Sequence, residues 1–400
     1  MMGSYRGDTV AALSGESVRA LAGVRVLDLT NAIAGSSSTM LLARFGAEVI
    51  KVERPGTGDF TRSKMPHAFE TFNASKRSVA IDLATPRGTA LARQIAASCD
   101  VFVQSQRPGS TAVRGLSPEA LREKNPHLIY AAVTAFGTRG PKSDWRGVDS
   151  VVQAESGLAS MQGAVHGPTS LIDIAAGLAL SQSVLIALMH RRREPDGLPI
   201  DIEVSLLDTA MYLQAPVLAE FLATNTLVDQ HELNRRYPTA GVFDAQDGPF
   251  MMPWWNPDWD RLCAVLDSPE LTVDPRFRTP AARREHRFDL QAELARAFKG
   301  WPREHWMKEL RAIGVMVGAV LTYEEAVRSE QIAANDVLYT VTASDDREIT
   351  SVREPYQLFG ISQAARRAAP ALGHDTESVL SELGLSASDI EAMRSAGVIG

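Results

Sequence analysis

Four hundred residues exceed what one ordinary hydrophobic core spans, so two domains are expected. An apolar fraction of 45% with 22% charged residues marks a soluble globular chain and excludes a disordered one. A net charge of −7 argues against nucleic acid as a partner, and two widely separated cysteines, Cys99 and Cys263, exclude a disulfide framework or a cysteine zinc site and suit a reducing cytoplasm.

Residues 1–20 read as a loose tail without the apolar core of a signal peptide. VRVLDLT (24–30) is a predicted strand, SSSTMLLARFG (36–46) a helix opening on serines, and AEVIKVE (47–53) the next strand. SVAIDL (78–83), DVFVQS (100–105) and LIYAAVTAF (128–136) are further strands, separated by helices at 86–98 and 117–125. Strands that alternate with helices and run as continuous Val, Ile and Leu predict a parallel sheet covered on both faces. The fold class is therefore α/β, with a doubly wound, mostly parallel, Rossmann-like domain over 21–225.

The stretch 166–192, HGPTSLIDIAAGLALSQSVLIALMHRR, starts on turn residues and ends on a basic cluster, the marks of a helix start and stop. Its apolar run has the length of a membrane span. Asp173, the Ser181-Gln182-Ser183 triplet and the flanking βα pattern make it a buried helix of a soluble domain instead. Asp173 is an acid among Leu171, Ile172, Ile174 and Ala175, where packing needs none. It has two readings: a helix cap, or a nucleophilic carboxylate in an apolar pocket.

LPIDIEVS (198–205) is one more strand, followed by a helix to about residue 224 and a polar linker at 224–238. GVFDAQDGPFMMPWW (241–255) reads as a hairpin around Gln-Asp-Gly, and three amphipathic helices follow. A smaller α+β domain is placed at 228–330, and 338–400 forms a C-terminal segment that returns to the first domain.

Several signatures are missing. No G-x-G-x-x-G follows the first strand, so a nicotinamide enzyme is disfavoured. There is no P-loop and no G-x-S-x-G elbow, and the eight histidines show no metal spacing. Between 51 and 77, Lys51, Arg54, Arg62, Lys64, Lys76 and Arg77 outnumber the acids. Such a patch is either a solvated basic face or a seat for a polyphosphate such as coenzyme A.

GVRVLDLTNAIAGSSSTMLLARFGAEVIKVERPGTGDFTR (23–62) resembles the N-terminal signature of the family III CoA-transferases, which include the α-methylacyl-CoA racemases. NASKRSVAIDLATPRG (73–88), RPG (107–109), NPHLIYAAVTAFGTRGP (125–141), GVDSVVQAESGLASMQG (147–163) and APALGHDTESVLSELGLS (369–386) resemble later blocks in order, covering most of the chain. The resemblance implies an interlocked homodimer; the acidic net charge and the buried-helix reading of the apolar run leave no nucleic acid and no membrane as expected partners. It also implies a transferase that moves CoA from an acyl-CoA to a small carboxylic acid, with CoA as substrate and neither metal nor prosthetic group. It makes Asp173 the nucleophile, passing through an aspartyl anhydride and an aspartyl-CoA thioester. It puts Arg54 beside the adenine, matches Arg146 to a coenzyme-site lysine, and assigns Lys76, Arg77 and Arg107 to blocks that bind coenzyme.

The departures from the family pattern are Gln104-Ser105-Gln106 before the RPG, Val113 in place of a coenzyme-binding arginine with Arg114 next to it, and Ile33 in place of an active-site glutamine. WWNPDW (254–259) stands where formyl-CoA transferase has a glycine-rich loop, so formyl-CoA and oxalyl-CoA are disfavoured and a more apolar acyl pocket is expected. The racemase branch needs a histidine where this chain has Val148, which removes one of its two bases. A catalytically silent CoA-binding protein is the remaining alternative.

Overall fold

The computed structural model describes residues 19–400 apart from 164, 166, 168, 228, 229, 254–256, 359 and 360. Most of the N-terminal tail, His166 and part of the WWNPDW string lie outside the described residues. The chain divides into two compact units, residues 19–213 with 336–400, and residues 214–335. The helix Ala215–Thr224, expected with the first domain, groups with the second unit.

The first unit is built on six strands: β1 (Arg25–Leu29), β2 (Glu48–Glu53), β3 (Arg77–Ala80), β4 (Val101–Gln104), β5 (Ile129–Thr134) and β6 (Asp201–Ser205). All pair in parallel, in the order β3-β2-β1-β4-β5-β6. The chain winds one way from β1 to β3 and then the other way from β4, so the direction reverses between β1 and β4. In open sheets of this kind the crevice beyond the strand carboxyl ends at that reversal is the ligand position.

The helices of this unit are α1 (Ala34–Arg44), α2 (Phe60–Lys64), α3 (Pro66–Phe72), α4 (Pro86–Ala97), α5 (Ser110–Val113), α6 (Pro118–Arg122), α7 (Asp149–Glu155), α8 (Leu158–Met161), α9 (Leu171–Arg193) and α10 (Leu206–Leu213). One face of the sheet packs on α4 and on the C-terminal helices Thr376–Glu382 and Ala387–Ser395, through Leu27, Ile50, Val79, Ile95, Phe102, Leu380 and Ile390. The other face packs on α1 and α9, through Val26, Val49, Val103, Leu42, Ile172, Ala176 and Leu180. The C-terminus is tied to β3, since Gly400 N–H donates to Ala80 O and Asp82 N–H to Val398 O. The hairpin of β10 (Leu338–Thr342) and β11 (Glu348–Val352) belongs to the same unit.

α9 is long and apolar enough to cross a membrane by composition alone. Its inward side, Ile172, Ala176, Gly177, Leu180, Val184 and Ala187, is core of the α/β unit. Its outward side leaves Leu171, Ile174, Leu178, Leu185, Ile186 and Met189 exposed.

The second unit holds a three-stranded antiparallel sheet of β7 (Gly241–Ala245), β8 (Gly248–Met252) and β9 (Gly318–Ala319). Trp259, Leu262, Leu294, Phe298 and Trp306 from its helices, with Phe277 from a turn, form the core around Phe243 and Phe250. The expected linker over 224–238 is corrected in part. Gln230–Arg236 is helical, and Glu232 pairs there with Arg235 and Arg236 three and four residues on. Polar composition hid this helix, whose i,i+3 and i,i+4 side-chain pairs were its signal in the sequence.

Candidate active site

A cavity of about 640 Å³ opens at the carboxyl edge of the six-stranded sheet. The loop after β1 contributes Asn31 and Ala32, and the start of α1 contributes Ala34 and Gly35. The loop after β4 contributes Ser105, Gln106, Arg107 and Arg114, the end of β5 gives Val133 and Thr134, and the next loop gives Trp145, Arg146 and Val148. Asp173 enters from the first turn of α9. The cavity thus sits over the reversal between β1 and β4.

Asp173 does not cap its helix. The N-cap position is Ser170, which makes no side-chain capping bond. The cap comes from Asp149 at the start of α7, whose Oδ2 accepts from Ile172 N–H at 2.7 Å and from Asp173 N–H at 3.0 Å. Its Oδ1 accepts from Gln153 Nε2, and Gln153 Oε1 accepts from Gly167 N–H at 2.9 Å. One buried carboxylate and one buried amide therefore hold the helix start and the loop that enters it. With those amides served by Asp149, the Asp173 carboxylate is left to the cavity. Burial, reinforced by the negative charge of Asp149, pushes it up to about 7.

α1 and α9 touch through glycine. A Cβ on Gly177 would meet Ala34 O at 2.7 Å. This contact lies four residues beyond Asp173, so it fixes the distance from the carboxylate to the first turn of α1. A Cβ on Gly35 would clash with the Thr30 side chain. The amides at the start of α1 lie in its first turn, where no carbonyl four residues back takes them.

The residues expected to bind coenzyme separate. Arg107 and Arg146 line the cavity with Asp173, and Arg114 joins them. Val113 faces solvent at 90% exposure, so the neighbouring arginine and not the valine is the cavity residue. Arg54 is exposed just beyond β2, on the same sheet edge but outside the cavity lining.

Lys76 is buried beneath α1 and is not at the cavity. Its Nζ donates to Asp28 Oδ2 at 2.9 Å, Ser36 O at 2.9 Å and Asn73 Oδ1 at 2.8 Å. Burial and the nearby Lys51 bring it down to about 8, while Asp28 still holds it protonated at neutral pH. Burial alone would raise Asp28, but Lys76, Lys51 and the hydroxyls of Thr30 and Thr39 hold it well below the usual carboxylate range. Lys51 donates to Thr30 O at 2.8 Å and pairs with Asp59 at 2.9 Å, and the Asp59 Oδ1 accepts from Ala32 N–H. These ions anchor the first loop, whose Ala32 holds a left-handed φ of 63°. Arg77 begins β3 and so lies at the amino edge of the sheet, where it pairs with Glu48 and Glu382. Basic residues close in sequence are thus split between a buried network and the wrong end of a strand.

Sequence reasoning missed Asp149, Gln153 and Trp145. An acid and a glutamine four residues apart on a short helical run were the available signal for the first two.

A model of CoA-transferase family III matches residues 21–376. The chain belongs to that family. This family III enzyme is 32% identical to mouse succinyl-CoA:glutarate CoA-transferase, over 96% of this chain and 91% of the relative. It is 33% identical to a probable fatty acyl-CoA transferase, Rv3272, of Mycobacterium tuberculosis, over 88% and 95%. The crystal structure of Rv3272 superposes with a TM-score of 0.79, at 32% identity, over 90% of this chain and 99% of that one. A CaiB/BaiF family protein from Brucella suis superposes with a TM-score of 0.82, at 27% identity, over 91% and 99%.

Proposed function

We propose that this family III enzyme moves CoA from an acyl-CoA to a small carboxylic acid, with Asp173 as the covalent relay. The observation that carries the reading is a half-buried carboxylate, without an ion-pair partner among the described residues, facing a cavity lined by Arg107, Arg114 and Arg146. A carboxylate held up to about 7 is a stronger nucleophile once ionised than an ordinary aspartate, because its anion is poorly solvated.

In the proposed sequence the Asp173 carboxylate attacks the thioester carbonyl, and CoA leaves as thiolate from an acyl-aspartyl anhydride. The thiolate then attacks the aspartyl carbonyl, releasing the donor acid and leaving aspartyl-CoA. The acceptor carboxylate attacks that thioester to give a second anhydride, which CoA opens at the acceptor carbonyl. This regenerates Asp173 and releases the new acyl-CoA. CoA carries its negative charges at the nucleotide end, so the three arginines orient it, and Arg54 meets the nucleotide where it leaves the cavity. The thiol end then points toward Asp173 and the first-turn amides of α1, placed to stabilise oxyanions at the reacting carbonyl.

Val148, where the racemase branch has its histidine, lines the cavity near Asp173, and an alkyl side chain moves no proton. This favours transfer over racemisation. Relatives are named for succinyl-CoA, glutarate and oxalate, so small carboxylic acids are the acceptors to try first. The exposed apolar side of α9 supports a second copy of the chain as its cover. The test is an exchange assay, in which labelled CoA thioesters and a panel of mono- and dicarboxylic acids are followed by chromatography. Wild type yields a new acyl-CoA and Asp173→Ala does not. Equal exchange by the variant would remove Asp173 from the chemistry.

A further inference from the structure

We infer that Asp149 is a positioning residue for Asp173, holding the first turn of α9 and confronting the nucleophile with a fixed negative charge. The inference rests on the proposed role of Asp173 and adds how that residue is aimed and readied.

The geometry is specific. Asp149 is 7% exposed and stands at the start of α7, yet its side chain serves α9, 24 residues downstream. It accepts from two consecutive amides, Ile172 N–H and Asp173 N–H, one of them the nucleophile's own. Both amides belong to the first turn, where the helix leaves donors unsatisfied, and a carboxylate there completes them better than a neutral acceptor does. A neutral cap such as serine would serve the backbone alone. A charged one also repels the Asp173 anion, and burial keeps water from screening that repulsion.

Among the described residues the charges around Asp173 are few. Asp149 faces it from α7, and Arg107, Arg114 and Arg146 lie across the cavity on the loops. α1 presents Ala34 and Gly35, β5 presents Val133 and Thr134, and α10 presents Leu206, none of them charged. Asp149 therefore opposes ionisation in the empty site, and the arginines draw in the anionic coenzyme. Asp173 becomes a reactive, weakly stabilised anion.

Gln153 makes the idea testable by an exchange of side chains. Its Nε2 donates to Asp149 and its Oε1 accepts from Gly167 N–H. In Asp149→Asn one oxygen still caps α9, but the new amide faces the Gln153 amide. Either the bond between positions 149 and 153 or the bond from Gly167 is lost. In the double variant Asp149→Asn/Gln153→Glu the new carboxylate accepts from both. Every hydrogen bond then returns, while the charge moves to position 153 and off the amides of α9.

The experiment follows the Asp173 carboxyl by ¹³C NMR of aspartate-labelled protein, assigned by the resonance missing in Asp173→Asn. The rate of covalent loading from acyl-CoA is followed in parallel against pH. In Asp149→Asn the Asp173 midpoint and the acid limb of loading both move down by about one unit or more. Loading above pH 8 slows about tenfold or more because the loop tether is lost. The double variant recovers that rate to within about threefold and keeps a lowered midpoint. Should Asp149→Asn not fold, the double variant alone carries the test. An Asp173 midpoint within about 0.3 units of wild type in the folded variants would overturn the inference. Failure of the proposed function has a different signature: no protein loads CoA at any pH, whatever the resonance does.

Discussion

Gly177 and Ala34 bring α9 and α1 together backbone to backbone: a Cβ on Gly177 would lie 2.7 Å from Ala34 O and would run into Ser37 Oγ. Ser37 can turn aside, but the Ala34 carbonyl cannot. Gly177→Ala is therefore expected to destabilise the protein by about 1–3 kcal/mol, the ordinary cost of overpacking. It also moves Asp173 away from Ala34 and Gly35, so kcat falls more than KM rises. Denaturant unfolding and steady-state kinetics check the two effects together.

Asp173 has a folded-state pKa of about 7 against an ordinary 3.8, raised by burial and then by Asp149. A raised carboxyl binds more protons folded than unfolded, so stability declines as pH rises from about 4 to 7 and levels off above that. Asp173→Asn removes this decline. It should be more stable than wild type at pH 8 by on the order of 1–2 kcal/mol, after discounting for partial solvent screening, and about equal at pH 4. Thermal melts of both proteins across that range give the comparison, and a parallel pair of curves would contradict the assignment.

The arginines of the first unit should separate into two classes. Arg107→Ala and Arg146→Ala are expected to raise KM for acyl-CoA about 5–50-fold with kcat within about threefold, since the contacts are the same in ground and transition states. Their KM values should also depend less on ionic strength. Arg77→Ala should leave KM unchanged and cost about 1 kcal/mol of stability or less, because its pairs with Glu48 and Glu382 are partly solvated.

Lys76 should behave as a structural ion. Lys76→Met leaves Asp28 buried without its main counter-ion and is expected to cost about 3–5 kcal/mol. Asp28→Asn in the same protein should recover part of that loss. If Lys76→Met instead melted like wild type and bound CoA weakly, the lysine would belong to the coenzyme site.

The first sheet is legible in the sequence because its strands are buried on both faces and so appear as unbroken runs such as Val101–Val103 and Ile129–Val133. Asp173 stands out for the same reason, as a charge with no packing role in an apolar run. Lys76 and Arg77 do not reveal their places, since adjacent residues at a strand start point to opposite faces. Composition cannot say that one lies under α1 and the other on the amino edge. Asp149 is hidden by distance: it caps a helix 24 residues away, and capping patterns are recognisable only when cap and helix are neighbours in sequence. Gly177 reads as a weak point in a helix until α1 is laid against it.

The most direct test of the covalent account is intact-mass measurement of the protein quenched in acid during turnover with acyl-CoA and no acceptor. The expected result is a mass increase equal to CoA less one water, mapped by peptide digestion to Asp173, discharged on adding a carboxylic acid and absent in Asp173→Asn. Steady acyl-CoA exchange with an unmodified protein mass, or an adduct that persists in Asp173→Asn, would contradict it.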